Sequence, residues 1–273
     1  MNRSKLVDLI YRRRSYLCVG LDTDPQKIPG GFTPDAEGML SFNRQIIDAT
    51  RDYCVAYKIN TAFYEALGAA GWMAMEATVR YIGSEHFTIA DAKRGDIGNT
   101  ADQYAKAFFD HLPFDSVTVA PYMGEDSVKP FLTRADKWGI VLGLTSNAGA
   151  QDFEMRRLEP TGTGQAKYLY EEVLTRVAEW GSPDNLMFVV GATQASQFER
   201  IRQLTPRHFY LVPGVGAQGG SLRDISEKAL IDDVGLLVNA SRAILYASSG
   251  PDFAEAAARV ASEYQQEMSQ YLR

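Results

Sequence analysis

The sequence predicts an α/β protein folded as a single closed (β/α)8 barrel, the TIM-barrel architecture. Short apolar runs rich in β-forming residues alternate with longer segments of helical periodicity, a pattern typical of repeated β-then-α units. Eight such runs occur, which is the number that closes this barrel. The length of 273 residues suits one barrel, and no internal repeat, low-complexity tract or linker divides residues 1–273. We therefore expect one domain.

The eight runs are the predicted strands, and each ends in turn-forming or polar residues. They cover residues 16–21, 55–59, 87–90, 116–120, 140–144, 186–190, 209–212 and 235–238. An open, doubly wound sheet is the competing architecture, but it usually has fewer strands and a glycine-rich turn after the first. Here the first strand ends in Gly20-Leu21-Asp22, without that turn.

Helical periodicity fills most of the intervals between the runs. The predicted helices cover residues 1–15, 41–52, 61–81, 100–111, 165–180, 195–204, 222–232 and 252–271. Two long irregular segments, 24–38 and 146–164, each follow a strand end. In a barrel they would project over the ligand-binding face, so a closing lid and a solvated insertion are both open interpretations.

The charge balance argues against nucleic acid as a partner. Lys and Arg number 28 against 34 Asp and Glu, so the net charge is −6 and no overall field attracts polyanions. The sequence has no apolar stretch of membrane-spanning length, and its N-terminus lacks the apolar centre of a signal peptide, so we expect a cytoplasmic protein without a membrane partner. Cys18 and Cys54 lie in apolar runs and are predicted to be buried, inert thiols, although a disulfide between them stays open.

Ionisable residues gather where the first three predicted strands end. Asp22 ends the first strand, Lys58 lies in the second, and the third runs into Asp91 and Lys93. In a closed barrel the carboxyl ends of the strands build the active site. Alternation along a strand puts Asp91 and Lys93 on one face. A structural salt bridge explains any one of these residues, but burying four charges together is a costly way to stabilise a core, so a functional site is the better interpretation.

An anion-binding site is predicted across the same pocket. Residues 213–220 form a glycine-rich segment after the seventh strand, and Ser241-Arg242 follows the eighth. Barrels often bind phosphate at this position through backbone N–H groups, and a nearby arginine adds a bidentate charge.

The segment Asp91-Ala92-Lys93-Arg94-Gly95-Asp96-Ile97-Gly98-Asn99-Thr100 resembles the signature of the orotidine 5′-phosphate decarboxylase family, with the spacing D-x-K-x-x-D-I-x-x-T. Supporting matches occur along most of the chain at Asp22, Lys58, residues 145–147, residues 213–216 and Arg242. The long loops and the Lys-Arg-Gly within the motif are similar to the longer bacterial subgroup.

The resemblance implies a homodimer with shared active sites that bind a small nucleotide and use no cofactor and no metal. It implies catalytic roles for Lys93, Asp91, Lys58 and Asp96, the last reaching into the neighbouring site together with Thr100. It also implies that Asp22 holds the ribose, Ser146 holds the pyrimidine, and Gly214, Gly216, Gln218 and Arg242 hold the phosphate.

The expected reaction is loss of CO₂ from orotidine 5′-monophosphate to give uridine 5′-monophosphate, the last step of de novo pyrimidine synthesis. Lys93 is the expected proton donor, because the carbanion left by CO₂ needs a fixed positive charge. The alternatives are a Mg²⁺-dependent sugar-phosphate decarboxylase on the same barrel, a Schiff-base aldolase using Lys58 or Lys93, and a non-catalytic nucleotide-binding barrel.

Overall fold

The computed structural model describes residues 1–159, 166–216 and 219–272, and ten strands lie among them. They are β1 (Leu17–Gly20), β2 (Ala56–Asn60), β3 (Phe87–Arg94), β4 (Ser116–Val119), β5 (Trp138–Leu144), β6 (Arg157–Leu158), β7 (Lys167–Tyr168), β8 (Leu186–Val190), β9 (Phe209–Pro213) and β10 (Leu236–Ala240). Eight of them close into a parallel barrel in the order β1-β10-β9-β8-β5-β4-β3-β2, whereas β6 and β7 form a small antiparallel pair. Closure confirms the predicted barrel and excludes the open sheet.

Helices follow the barrel strands and cover the outside of the barrel. They are α1 (Arg3–Arg13), α2 (Ala36–Thr50), α3 (Thr61–Glu65), α4 (Gly68–Ile82), α5 (Gly98–Lys106), α6 (Glu125–Val128), α7 (Leu169–Trp180), α8 (Phe198–Leu204), α9 (Leu222–Ala229), α10 (Arg242–Leu245) and α11 (Phe253–Ser269). A π-helical turn over Ala107–His111 extends α5, and 3₁₀ turns cover Lys129–Leu132, Ala148–Gln151 and Ala192–Gln197.

All eight predicted barrel strands are present, and their ends differ from the prediction by a few residues. The helix predicted over 61–81 is two helices, because Gly68 at a φ of 61° breaks the helical path between α3 and α4. The helix predicted over 165–180 begins at Leu169, because residues 167–168 pair with residues 157–158 as strands. Residue 165 lies outside the described residues.

The core lies inside the barrel and between the barrel and its helices. On the outside, Phe42, Ile46 and Ile47 of α2 are fully buried. At the N-terminal end of the strands, the buried ring of Trp138 meets the edges of Phe87 and Phe209. Aromatic burial of this kind supplies much of the hydrophobic stabilisation of a domain.

Both cysteines are buried and free, which confirms the interpretation as thiols without a disulfide. Within the described part of the chain, none of the helices combines the length and the apolar character that a membrane crossing requires.

Candidate active site

The ends of the first three strands carry a row of alternating charges, which we call the charge row (Asp22, Lys58, Asp91 and Lys93). The Nζ of Lys58 lies 2.8 Å from the Oδ1 of Asp22 and 3.1 Å from the Oδ2 of Asp91. The Nζ of Lys93 lies 2.6 Å from the other oxygen, Oδ1, of Asp91. Each negative charge therefore touches a positive one, the arrangement that makes such burial tolerable.

The two central members of the charge row, Lys58 and Asp91, stay ionised at neutral pH. Burial alone would raise the pKa of Asp91, but the ammonium groups of Lys58 and Lys93 outweigh it and lower that pKa to about 2. Burial likewise opposes the charged form of Lys58, yet the carboxylates of Asp22 and Asp91 hold its pKa above the usual lysine value. The Lys58 side chain is only 4% exposed, whereas that of Lys93 is 51% exposed and faces the cavity. Lys93 is thus the ammonium that a ligand can reach.

Lys93 reaches this cavity through an irregular strand end rather than through the simple alternation used to predict it. The pairing of β3 with β4 shifts register between Ala90 and Arg94. Lys93 has a φ of 47°, in the left-handed region that side chains rarely occupy. Asp91 and Lys93 lie together as predicted, but a distorted backbone rather than regular alternation brings their side chains into contact.

Thr118 of β4 is a site residue that the sequence reasoning missed. Its Oγ1 accepts a hydrogen bond from the backbone N–H of Lys93 at 2.8 Å and donates one to the Oδ1 of Asp91 at 3.1 Å. The side chain is fully buried. A threonine within the apolar run Ser116–Val119, on the strand next to Asp91, was the available signal.

A cavity of about 290 Å³ opens at this end of the barrel, with the charge row on one wall. The opposite wall consists of the residues that end the last two strands, namely Pro213, Gly214, Val215, Asn239, Ser241 and Arg242. Gly214 and Gly216 have φ values of 98° and 71°, so both occupy the region that favours glycine. A Cβ on Gly216 would also lie 2.7 Å from the hydroxyl of Tyr264.

Arg242 is the exposed cation of this opposite wall. Within the described residues its guanidinium makes no salt bridge, in contrast to Lys58 and Lys93. An unpaired guanidinium beside a glycine-rich turn is suited to bind an anion that enters with a ligand.

A third wall carries the end of β5, with Thr145, Ser146 and Asn147. The carboxylate of Glu154 accepts hydrogen bonds from the backbone N–H of Thr145 at 2.7 Å and from its hydroxyl at 2.9 Å. The Nε2 of Gln194 donates to the carbonyl of Thr145 at 3.0 Å. The described part of the long segment 146–164 is therefore fastened to the site wall through Glu154.

Most of the predicted site residues meet at this cavity. Those that line it are Asp22, Lys58, Asp91, Lys93, Ser146, Gly214 and Arg242. Gly216 lies in the adjoining turn, and Gln218 lies outside the described residues. Asp96 and Thr100 do not line the cavity: Asp96 accepts a hydrogen bond from the N–H of Ile97 at 2.8 Å, and Thr100 is exposed on α5. Besides Thr118, the lining residues Asn60 and Asn239 were not predicted from the sequence.

No group of His, Cys, Asp and Glu among the described residues is arranged to hold a metal ion. The two carboxylates of the charge row are each bound to lysine ammonium groups, as the distances above show. The donor set thus differs from the several oxygen ligands that Mg²⁺ prefers.

Comparison with known proteins agrees with this geometry. The model of the orotidine 5′-phosphate decarboxylase / HUMPS family matches residues 15–260. The chain is 52% identical to orotidine 5′-phosphate decarboxylase of Parabacteroides distasonis over 100% of its own length and 96% of the relative's. It is 51% identical to that of Porphyromonas gingivalis, covering 100% of the chain and 98% of the relative.

Solved structures give the same result. The OMP decarboxylase of Leishmania donovani superposes with a TM-score of 0.82 at 35% identity, covering 99% of this chain and 100% of the other. A structure from Toxoplasma gondii, described as a putative orotidine-monophosphate decarboxylase, gives 0.84 at 32% identity with 98% of each chain covered. The chain therefore belongs to the orotidine 5′-phosphate decarboxylase family.

Proposed function

We propose that this chain decarboxylates orotidine 5′-monophosphate to uridine 5′-monophosphate, the last step of pyrimidine biosynthesis, without a metal or organic cofactor and with Lys93 as the proton donor. The observation that carries this assignment is the charge row facing, across one cavity, an Arg242 that makes no salt bridge with the described residues. A nucleotide with a phosphate at one end and a carboxylate at the other fits this separation of charge.

Substrate binding follows from the three walls. Arg242 and the turn that contains Gly214 and Gly216 would hold the phosphate, with Gln218 as a further contact. Asp22 would accept hydrogen bonds from the ribose hydroxyls, and Ser146 would contact the pyrimidine. The orotate carboxylate would then lie over Asp91 and Lys93.

The reaction breaks the bond between C6 and the carboxylate and leaves the electron pair on C6, where the ring offers no adjacent π system to accept it. The fixed ammonium of Lys93 stabilises this developing charge electrostatically. One of its protons then forms the new C6–H bond, CO₂ leaves, and the neutral amine regains a proton from solvent.

Asp91 would contribute to this step in two ways. Its 2.6 Å contact holds the Lys93 ammonium in place, and its negative charge lies near the carboxylate that departs. Repulsion between the two carboxylates falls as CO₂ is released, so it favours the forward reaction. Lys58, nearly buried between Asp22 and Asp91, would hold both acids in their orientation.

We further propose a homodimer in which Asp96 and Thr100 complete the neighbouring subunit's site. Neither residue lines the cavity of its own chain, although both belong to the motif. Large apolar side chains lie exposed around them: Ile97 is 54% exposed, Met123 49% and Tyr122 89%. A patch of this kind on the open end of a barrel suits a second copy of the chain. The two free, buried thiols and the metabolic role support a cytoplasmic location.

The test is an ultraviolet assay that follows conversion of orotidine 5′-monophosphate by the purified chain, repeated after dialysis against EDTA. We expect turnover that EDTA does not change. Loss of turnover with EDTA would favour the Mg²⁺-dependent alternative, and tight nucleotide binding without turnover would favour a non-catalytic barrel. Inactivation by borohydride in the presence of substrate would indicate a Schiff base.

A further inference from the structure

The backbone at Lys93 is held in an unfavourable conformation. Its φ of 47° lies in the left-handed region, which L-residues with a long side chain rarely adopt. Such conformations persist only where the surrounding structure fixes them. The bond from the Lys93 N–H to Thr118 is one restraint, but it fixes only one side of the residue.

On the other side, the carbonyl of Arg94 accepts a hydrogen bond from the N–H of Ala120 at 2.8 Å, and the side chain of Arg94 adds a further restraint. Its Nη1 donates a hydrogen bond to the carbonyl of Ala92 at 2.9 Å, which closes a hydrogen-bonded ring that spans Lys93. Its Nη2 forms an ion pair with Glu65 at the end of α3. The guanidinium also lies 5.4 Å from the ring of Tyr104 and 5.3 Å from that of Phe108, which belong to α5 and its π-helical turn.

We propose that Arg94 and Glu65 are positioning residues for the decarboxylation, because together they hold Lys93 in the conformation that places its ammonium on Asp91. The proposal rests on the function proposed above for Lys93. The ring closed by Arg94 spans only residue 93, so it restricts the backbone torsions of that residue directly. Glu65 and the two aromatic rings fix the guanidinium from outside the strand.

A role in stability alone does not explain this arrangement. The Arg94 side chain is 19% exposed, and its Nε is buried without a hydrogen-bond partner among the described residues. A buried donor without a partner is destabilising, and apolar side chains of similar size in place of an ion pair are often neutral or more stable. An arginine that performs no positioning is therefore the less favourable choice here.

The experiment compares Arg94→Met, Arg94→Lys and Glu65→Gln with the matched control Arg44→Met. Arg44 also lies over an aromatic ring, that of Tyr81 at 5.3 Å, but on the outer helices. For Arg94→Met we expect kcat to fall about 10²-fold, the order expected when a catalytic group is displaced by about 1 Å. KM should change little because the phosphate and pyrimidine contacts lie on other walls. Thermal stability should change little, because the Glu65 side chain is 32% exposed and can be hydrated once it loses its partner.

Arg94→Lys and Glu65→Gln should lose less kcat than Arg94→Met, because each keeps part of the contact network. Arg44→Met should leave kcat unchanged. A folded Arg94→Met variant with wild-type kcat would overturn the proposal. A loss of kcat that is explained by unfolding of the variant at the assay temperature would overturn it as well.

A crystal structure of Arg94→Met tests the positioning directly and without reference to turnover. We expect residue 93 to leave the left-handed region and its Nζ to move away from Asp91. If both are retained, the positioning role is wrong even if the wild-type chain proves to have another activity. If the wild-type chain has no decarboxylase activity and the variant shows the expected movement, the proposed function fails and the positioning role stands.

Discussion

Strands β3 and β4 carry a pair of aspartate and threonine at each end, and the two pairs serve different purposes. At the start of the strands, Thr88 donates to the Oδ2 of Asp115 from its backbone N–H at 3.0 Å and from its hydroxyl at 3.1 Å. The N–H of Asp115 returns a bond to that hydroxyl at 2.9 Å. At the end of the strands, Asp91 and Thr118 form the corresponding pair.

Hydrogen bonding does not distinguish these two pairs, since both acids are well bonded and each also contacts an ammonium group. The amino group of Met1 contacts Asp115 and the Met1 side chain is 9% exposed, whereas Lys93 contacts Asp91 and its side chain is 51% exposed. Both ends have a cavity, since Met1 and Asp115 also line one, but only the second ammonium stands on a left-handed backbone. Access and backbone strain, rather than the presence of an ion pair, mark the functional end of the barrel.

The largest difference between the two ends should come from removing a lysine. Lys93→Ala should lower kcat by at least about 10⁴-fold, because both the stabilising charge and the proton donor are lost. Binding of uridine 5′-monophosphate, measured by calorimetry, should persist through Arg242 and the glycine-rich turn. Lys137→Ala is the matched control, since its ammonium bonds the Phe114 carbonyl at the other end of the barrel. Wild-type turnover in Lys93→Ala would refute the proton-donor role.

The same variant tests whether sites are shared between subunits. In a mixed dimer of Lys93→Ala and Asp96→Asn, one site carries both defects and the other carries neither. Random exchange of the two inactive variants should therefore restore about a quarter of wild-type activity if each site takes Asp96 from its neighbour. Absence of any recovery, with mixed dimers confirmed by mass spectrometry, would place Asp96 in its own subunit's chemistry or in none.

Replacing each threonine with valine should distinguish the two pairs, with a smaller loss of activity than Lys93→Ala causes. Thr118→Val should lower kcat about tenfold or more, because Asp91 and the Lys93 N–H both lose a partner. Thr88→Val should leave kcat unchanged and lower the free energy of unfolding by about 1–3 kcal/mol, because the N–H of Asp115 loses its acceptor. Thr118→Ser, which keeps the hydroxyl, should recover most of the activity. Equal losses of kcat in the two valine variants would contradict the proposal that only the Asp91–Thr118 pair serves catalysis.

The smallest effect concerns pH. Asp91 has a folded-state pKa of about 2 against an ordinary value of 3.8. Its contribution to stability is therefore complete above the ordinary value and is lost as the pH falls toward 2, where the folded state also takes up the proton. The shift corresponds to about 2 kcal/mol. The free energy of unfolding of wild type and of Asp91→Asn, measured with denaturant, should differ by a constant amount between pH 5 and 7. Below about pH 4 only wild type should lose the contribution of Asp91. Identical acid profiles would contradict the assignment.

The fold could be predicted from the sequence because its signals are local. Most of each barrel strand is a short β-forming run buried on both faces, and the fully buried β8 (Leu186–Val190) is uninterrupted apolar sequence. Because the carboxyl ends of barrel strands build the active site, the sequence also predicts that Asp22, Lys58, Asp91 and Lys93 lie together. Charges that follow successive strands can be recognised in this way without knowledge of distances.

Features that depend on neighbouring strands were beyond the sequence. The register shift at the end of β3 arises from its pairing with β4, so neither the left-handed Lys93 nor the role of Thr118 has a local signal. The break between α3 and α4 depends on the left-handed conformation of Gly68, which the spacing of apolar residues does not reveal. The roles proposed for Asp96 and Thr100 depend on contacts with a second subunit, which the sequence of one chain does not define.

The pairing of β1 with both β2 and β10 joins the first and last parts of the chain at a seam. The cavity lies across this seam, with Asp22 on one side and Arg242 on the other. During synthesis, a nascent chain that ends before β10 exposes the edges of β1 and β9 and has no enclosed pocket, whatever charges it already contains. Activity should consequently arise in one step when the final strand is inserted, and fragments that lack it should aggregate rather than show partial turnover.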